Sequence, residues 1–362
     1  MGVYWNSRVK KLSPYVPGEQ PRDRRFIKLN TNENPYPPSP AVIAAIQKAA
    51  NEGLRLYPDP ECTEFREAVA ARYGVKIENV FAGNGSDEIL AFAFGAFFES
   101  AADRDSLPIL FPDITYSFYP VYAALWDIPC RAIPLAADFS INTFDYKIPS
   151  GGIALPNPNA PTGIAVPLRD ILSLAASLEN QGRVFILDEA YAAFGAESAV
   201  PYIDQHQNLL TVHTLSKSAS LAGLRAGFAI ANETLIEGLR RVRDSFNSYT
   251  LDRLALAGAA AAVKDAAYYN EINFRVTATR ERVARELAGS GFTVLPSLAN
   301  FVCIKAPNTG GADFFAGLRE RGILVRHFNR ERIADFLRVS IGTDDEMDAF
   351  LEACREIVRN GE

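Results

Sequence analysis

The chain has 362 residues, 48% of them hydrophobic and 22% charged, an ordinary balance for a globular protein and long enough for two domains. Its net charge of −6 gives no electrostatic support for a nucleic-acid or membrane partner. The one basic cluster, Arg22, Arg24 and Arg25, is broken by Asp23 and reads as a solvated stretch. Cys62, Cys130, Cys303 and Cys354 are too scattered for a disulfide framework or a zinc site, and His206, His213 and His327 have no metal-ligand spacing. The start, MGVYWNSRVKKL, lacks an apolar signal core, and no later run reaches the roughly 18 uncharged residues of a membrane span, so a cytoplasmic location is expected.

Residues 1–38 are rich in Pro and Asn and read as an extended arm ending in LNTNENPYPPSP. Ser39 and Pro40 form an N-cap and first-turn pair, which predicts a helix over about 41–52 stopped by Gly53. From there to about 265, short apolar runs alternate with helical patterns: VFA from 80, PILF from 108, CRAIPL from 130, GIAL from 152, RVFIL from 183, NLLTVHT from 208 and GFAIA from 227. Such alternation predicts an α/β architecture with a mostly parallel seven-stranded sheet covered by helices on both faces. Too little chain separates Lys217 from Gly227 for a helical crossover, so the strand at 227–231 should run antiparallel to its neighbour.

The C-terminal part has a different rhythm. YYNEINFRVTATRERVAREL, from Tyr268, puts Ile272, Val276, Val283 and Leu287 on one face of a long connecting helix. FTVL, ANFVCIKA, GILVRHF and FLRVSIG follow as strands, with a helix between the second and third. Thr343 and Glu346 have capping-box spacing at the start of a last helix, whose apolar stripe is Phe350, Leu351, Cys354 and Ile357. The expected organisation is an arm at 1–38 packing with a small α/β domain at 266–362, and a large domain at 39–265.

In a sheet of this kind ligands bind beyond the carboxyl ends of the strands. One strand ends in Asp188-Glu189-Ala190-Tyr191, and the next in Ser216-Lys217, in the least charged part of the chain. Asp188 and Lys217, about thirty residues apart, are separated by one crossover unit and can meet at the same edge, either as a plain ion pair or as chemical groups. A third strand end, AGNGSDE, offers a turn at Gly83 and Gly85 and a helix starting near Ser86, whose free N–H groups suit a phosphate; Asp87 and Glu88 could serve only the helix dipole. A fourth places Tyr116 where its ring either stacks on a planar ligand or packs at the surface. With Arg225, eight residues past Lys217, as a second phosphate ligand, the set meets the needs of pyridoxal phosphate. Lys217 would form a Schiff base with its aldehyde and must be neutral to do so, which desolvation and Arg225 would favour. Asp188 would keep the pyridine nitrogen protonated, and Tyr191 would hydrogen-bond the ring oxygen.

These motifs resemble those of the fold-type I pyridoxal-phosphate enzymes of the aspartate aminotransferase superfamily. More narrowly, LNTNENPYPPSP, LYPDP, GNGSDE, PNPNAPTG, DEAY, TLSKSASLAGLRAGF, PSLANFV, GILVR and FLRVSIGT resemble the histidinol-phosphate aminotransferase family along nearly the whole chain. The resemblance implies Lys217 as cofactor lysine and general acid/base, Asp188 as pyridinium partner and Tyr116 as stacking ring. It implies Gly85, Ser86, Ser216 and Arg225 as phosphate ligands, with Tyr57 reaching the phosphate of a neighbouring subunit, hence a homodimer with shared active sites. Arg338 would bind the glutamate α-carboxylate, and Arg338, Arg326 and Tyr15 the phosphate of histidinol phosphate. Where the superfamily carries Asn before Pro-Thr-Gly this chain has Ala160, so Asn159 or Asn157 takes that ring-oxygen contact, or Tyr191 makes it alone. The Ala160-Pro161 bond is expected to be cis.

The implied reaction is transamination between L-histidinol phosphate and 2-oxoglutarate. Two arginines a dozen residues apart suit a dianionic phosphate better than a lone carboxylate. An aromatic amino acid aminotransferase shares most of these motifs, and a pyridoxal-phosphate decarboxylase or lyase shares the cofactor set. A catalytically silent regulator would need a further domain for which this length leaves no room, and a nicotinamide dehydrogenase would need a third glycine in the turn.

Overall fold

The computed structural model describes residues 4–21, 26–103 and 106–360; the Arg22, Arg24 and Arg25 cluster lies outside them. The described residues form thirteen strands. A short strand, β1 (Ile27–Lys28), precedes the seven of the main sheet: β2 (Val80–Gly83), β3 (Ile109–Pro112), β4 (Cys130–Ile133), β5 (Gly152–Pro156), β6 (Phe185–Asp188), β7 (Leu209–Thr214) and β8 (Gly227–Ala231). Their spatial order is β2-β8-β7-β6-β5-β3-β4, and only β8 is antiparallel to its neighbours. All seven expected strands, the reversed one among them, are therefore found.

The sheet holds together because its strands are apolar on both faces. Ile186 packs with Phe94, Tyr119 and Leu239, whereas its neighbours Phe185 and Leu187 pack with Ile171, Leu174 and Leu178 on the other side. Period-two alternation buried on both faces demands helices above and below. Parallel pairing then fixes where the loops gather. In register, Pro156 is paired with Asp188, and Gly83 with Gly227, which in turn pairs with Thr214, so the ends of β2, β5, β6 and β7 share one edge.

Beyond the long helix Ala266–Gly289, whose buried face includes the four expected apolar residues, come β9 (Thr293–Val294), β10 (Phe301–Lys305), β11 (Ile323–Leu324), β12 (Arg326–His327) and β13 (Phe336–Ser340). Four of these make an antiparallel sheet in the order β12-β13-β10-β9. The last helix, Asp344–Asn360, opens on a reciprocal capping box: Thr343 N–H donates to Glu346 Oε2 (2.8 Å) and Glu346 N–H to Thr343 Oγ1 (3.3 Å). Leu29 from the arm joins Val276, Val302, Phe314 and Phe350 in the core here.

Three local expectations are corrected. The helix begins at Pro40, with Ser39 Oγ accepting from Val42 N–H, but ends at Ala49; Asn51 then caps a 3₁₀ turn, Glu52–Arg55, that contains Gly53. The arm is not extended throughout, since Asn6 caps a short helix, Ser7–Lys11. GILVRHF is two strands rather than one: β11 pairs in parallel with β1, and β12 antiparallel with β13, with the buried Val325 between them, because its two halves meet different partners.

Candidate active site

A cleft of about 270 Å³ opens at the shared strand edge. It is lined by Lys217, Asp188, Tyr191, Ser86, Tyr116, Ser216 and Arg225 from the large sheet's edge, by Tyr15 from the arm, and by Arg326 and Arg338 from β12 and β13. Gly85 lies directly behind Arg225, at the first turn of the helix Gly85–Phe97. A larger cavity, about 750 Å³, borders Glu189, His213 and Tyr73, but neither Lys217 nor Arg225 lines it, and Glu189 is already satisfied by Ser198 and the Ala199 N–H.

Lys217 sits in a short helix, Leu215–Ser218, that follows β7 with Thr214 as its cap. Its Nζ donates to the Thr31 carbonyl of the arm (2.9 Å), and its own carbonyl accepts from Asn34 Nδ2 (3.1 Å). Burial depresses its pKa to about 8, and the guanidinium of Arg338 adds to that effect more than Arg225 does. The expected dependence on Arg225 is thus corrected in rank: the substrate-side arginine is the stronger neighbour.

Asp188 forms no ion pair with Lys217. Asp188 is 5% exposed; among the described residues its carboxylate accepts only from the Ala190 N–H (3.1 Å) and the Tyr119 hydroxyl (3.3 Å), and burial pushes it up to about 7. A buried acid with no cation among the described residues is a site for a protonated ring nitrogen.

At the helix N-terminus, Arg225 Nη1 donates to Ser216 Oγ (3.2 Å) and Nη2 to Asp87 Oδ2 (2.9 Å), while the Tyr116 hydroxyl donates to the other Asp87 oxygen. Asp87 is therefore more than a dipole partner; it ties the arginine to the aromatic ring. A Cβ on Gly85 would lie 2.6 Å from Arg225 Nη2, and one on Gly227 would lie 2.8 Å from Ser86 N, so glycine keeps this anion cradle open. The cradle, the unpaired acid and the partly neutral lysine fit pyridoxal 5'-phosphate.

Two loop asparagines do not enter the cleft. Asn159 spends its amide on Ile114 O (3.0 Å) and Thr162 Oγ1 (3.1 Å) and its Oδ1 on Thr115 (3.0 Å); Asn157 is bound at both ends to Val166. The expected cofactor contact by Asn159 is corrected accordingly, leaving Tyr191, which lines the cleft, as the other residue expected at the ring oxygen. Both Asn157-Pro158 and Ala160-Pro161 are cis. Tyr57 is not brought to this cleft: it is 77% exposed and stacked on Tyr249 at 4.6 Å.

Residues 24–354 match the family described as aminotransferase class I and II. The chain is 54% identical to histidinol-phosphate aminotransferase 1 of Bradyrhizobium diazoefficiens over 99% of its own length and 100% of that protein's, and 53% identical to the histidinol-phosphate aminotransferase of Clostridium acetobutylicum over the same shares. It belongs to the histidinol-phosphate aminotransferases. Among solved folds, this family member superposes on the enzyme of Sinorhizobium meliloti in complex with pyridoxal-5'-phosphate with a TM-score of 0.88 at 24% identity, covering 99% of each chain. An aspartate aminotransferase of Thermus thermophilus gives 0.82 at 18% identity over 99% of each, a likeness of fold. The protein is an aminotransferase, and pyridoxal 5'-phosphate is its cofactor.

Four contributors escaped the sequence reading. Thr31 acts through its carbonyl, Asn32 donates to Tyr191 (2.9 Å), Tyr119 touches Asp188, and Phe328 lies under both Arg326 and Arg338, 5.6 Å from each guanidinium carbon. Only the alternating asparagines of LNTNEN hinted at the first two.

Proposed function

We propose that the chain transfers the amino group between L-histidinol phosphate and 2-oxoglutarate, giving imidazole acetol phosphate and L-glutamate, in histidine biosynthesis. The observation carrying this reading is the pairing of Arg326 with Arg338 in the register of β12 and β13, in the cleft that holds Lys217. Both guanidinium groups hydrogen-bond only carbonyl oxygens, of Val16 and Asn30, and neither forms an ion pair among the described residues. Paired planar cations match a phosphate dianion, and the buried Arg338 Nε without a partner is a donor left over for it.

When bound, pyridoxal 5'-phosphate supplies the electron sink that lets the α-hydrogen of the donor leave as a proton. Asp188 holds the proton on the ring nitrogen, and Tyr191 donates to the ring oxygen. Ser86, Ser216, Arg225 and the N–H groups after Gly85 would hold the phosphate, and Tyr116 would stack on the ring. Lys217 moves the proton at the α-carbon; a pKa near 8 keeps part of it neutral at working pH. Arg338 holds the α-carboxylate of glutamate in one half-reaction. In the other, Arg338, Arg326 and Tyr15 hold the substrate phosphate, with Phe328 packed against both arginines.

The same reading makes a homodimer the working unit, each Tyr57 serving the partner's cleft; its exposure and its absence from the lining of its own cleft support this. It divides the chain into a large domain at 39–265, a small one at 266–362 and an arm at 1–38 that pairs with the small one through β1 and β11. We place the enzyme in the cytoplasm; no helix among the described residues is long and apolar enough to cross a membrane.

The deciding experiment is absorbance of the holoenzyme on adding L-histidinol phosphate without acceptor. Conversion of the cofactor to its amine form, reversed by 2-oxoglutarate and abolished by Lys217→Ala, is expected. A faster conversion by phenylalanine would replace this substrate assignment with an aromatic amino acid aminotransferase, and carbon dioxide release without an oxo acid would replace it with a decarboxylase.

A further inference from the structure

Asn32 is 1% exposed and held at φ 55, a left-handed conformation that asparagine tolerates better than most residues. Its backbone N–H donates to Ser340 Oγ (2.8 Å), its Oδ1 accepts from the same hydroxyl (2.9 Å), and its Nδ2 donates to the Tyr191 oxygen (2.9 Å). Its carbonyl accepts from Asn300 Nδ2 (2.9 Å). The direction of the amide follows from counting protons. The buried Ser340 hydroxyl has one proton to give, and Asn32 Oδ1 is its only acceptor among the described residues. Turning the amide over would leave that proton facing an NH2 group, a buried donor without a partner. The NH2 group therefore faces the phenol.

A phenol that accepts from Asn32 cannot also point its proton at Asn32. The ring packs edge-on against Phe301, with centroids 5.1 Å apart, and lines the cleft with Asp188 and Lys217. We propose that Asn32 is a positioning residue: by donating to Tyr191 it turns the phenolic proton into the cleft, toward the ring oxygen of the cofactor, and Ser340 sets the direction of that donation. Ser340 lies two residues past Arg338 on β13, so one strand carries both the substrate arginine and the anchor of this relay. The inference rests on Tyr191 as the ring-oxygen donor.

The test is a spectroscopic titration of the holoenzyme without substrate. The pH at which the absorbance of the lysine-bound cofactor changes reports how well the ring oxygen is stabilised as an anion. Asn32→Asp keeps the shape and tolerates the left-handed backbone, but its carboxylate captures the phenolic proton; the transition should rise by about one pH unit. Tyr191→Phe should raise it similarly, and adding Asn32→Asp to Tyr191→Phe should raise it no further. Ser340→Ala, which frees the amide to turn, should give a smaller rise in the same direction and carries the test if Asn32→Asp fails to fold. An unmoved or lowered transition in Asn32→Asp, beside a raised one in Tyr191→Phe, overturns the role of Asn32 alone. So does a shift by Asn32→Asp that persists undiminished in the Tyr191→Phe background, since it would then be a field effect. A transition unmoved by Tyr191→Phe itself overturns the tyrosine assignment and this inference with it.

Discussion

Arg326 and Arg338 stand opposite each other on neighbouring antiparallel strands, with both guanidinium groups over the Phe328 ring and no acid to answer either among the described residues. Like charges placed across a strand pair repel, so the arrangement costs stability until an anion arrives. Removing one charge should therefore separate the two half-reactions. Arg326→Gln is expected to raise KM for histidinol phosphate by about tenfold to a hundredfold while leaving the glutamate half-reaction nearly intact. Arg338→Gln should impair both, as single-turnover kinetics with each amino donor would reveal.

Arg338 also reaches Lys217 electrostatically, which gives a pH signature. In the cofactor-free protein the rate of cofactor capture should climb as pH rises and level off above about 8, where Lys217 has lost its proton. Without the arginine charge the lysine holds its proton more tightly. The Arg338→Gln profile is expected to shift to higher pH, and stopped-flow absorbance over pH 6 to 10 would register it.

Asp188 predicts a conflict between stability and function. Its folded-state pKa, about 7, lies above the ordinary 3.8, so the folded chain binds the extra proton and loses stability as pH rises from about 4 through 7. Asp188→Asn relieves that loss. Above pH 7 the cofactor-free variant should be more stable than the parent by up to about 4 kcal/mol, and near pH 4 no more stable. Cofactor affinity should fall at the same time, and thermal melts with and without pyridoxal 5'-phosphate would display both effects.

The helix N-terminus has no room for a methyl group. Gly85 is at φ 78 and its missing Cβ would collide with Arg225. Gly85→Ala is expected to weaken cofactor binding about tenfold to a hundredfold through strain and a displaced arginine. Equilibrium dialysis would measure it, and far-UV circular dichroism should stay unchanged.

Tyr57 allows a complementation assay. Lys217→Ala and Tyr57→Ala subunits should each bind cofactor defectively alone. Mixed dimers should regain one normal site of the two, since one cleft then combines an intact lysine with an intact partner tyrosine. No recovery on mixing would refute the shared site.

What the sequence discloses and what it withholds divide along physical lines. The seven strands are legible because each is a short apolar run, and Lys217, Asp188 and Arg225 because they sit at predictable ends of those runs. Gly53 misleads because a glycine permits a stop without requiring one, and Asn51 had already capped the next turn. GILVRHF reads as one strand because periodicity says nothing about which partner each half will find. The relay from Ser340 through Asn32 to Tyr191 leaves no local pattern beyond the asparagines of LNTNEN, since it joins residues 308 and 159 positions apart. Asn159 looked available by adjacency to Ala160, yet its amide is used within its own loop.

That long span has a consequence for biosynthesis. Every strand of the large sheet has left the ribosome once residue 231 has, so the scaffold that presents Lys217 and Asp188 can form early. β1 and Asn32, made early, wait for β11 and β13, which are made more than a hundred residues after Lys217's strand begins. A nascent chain interrupted before Phe336 has its lysine and its acid but neither Arg338 nor the anchor of Asn32. Selectivity is thus completed after the scaffold, and a prematurely ended product would display the cofactor lysine without the arginine that tunes it.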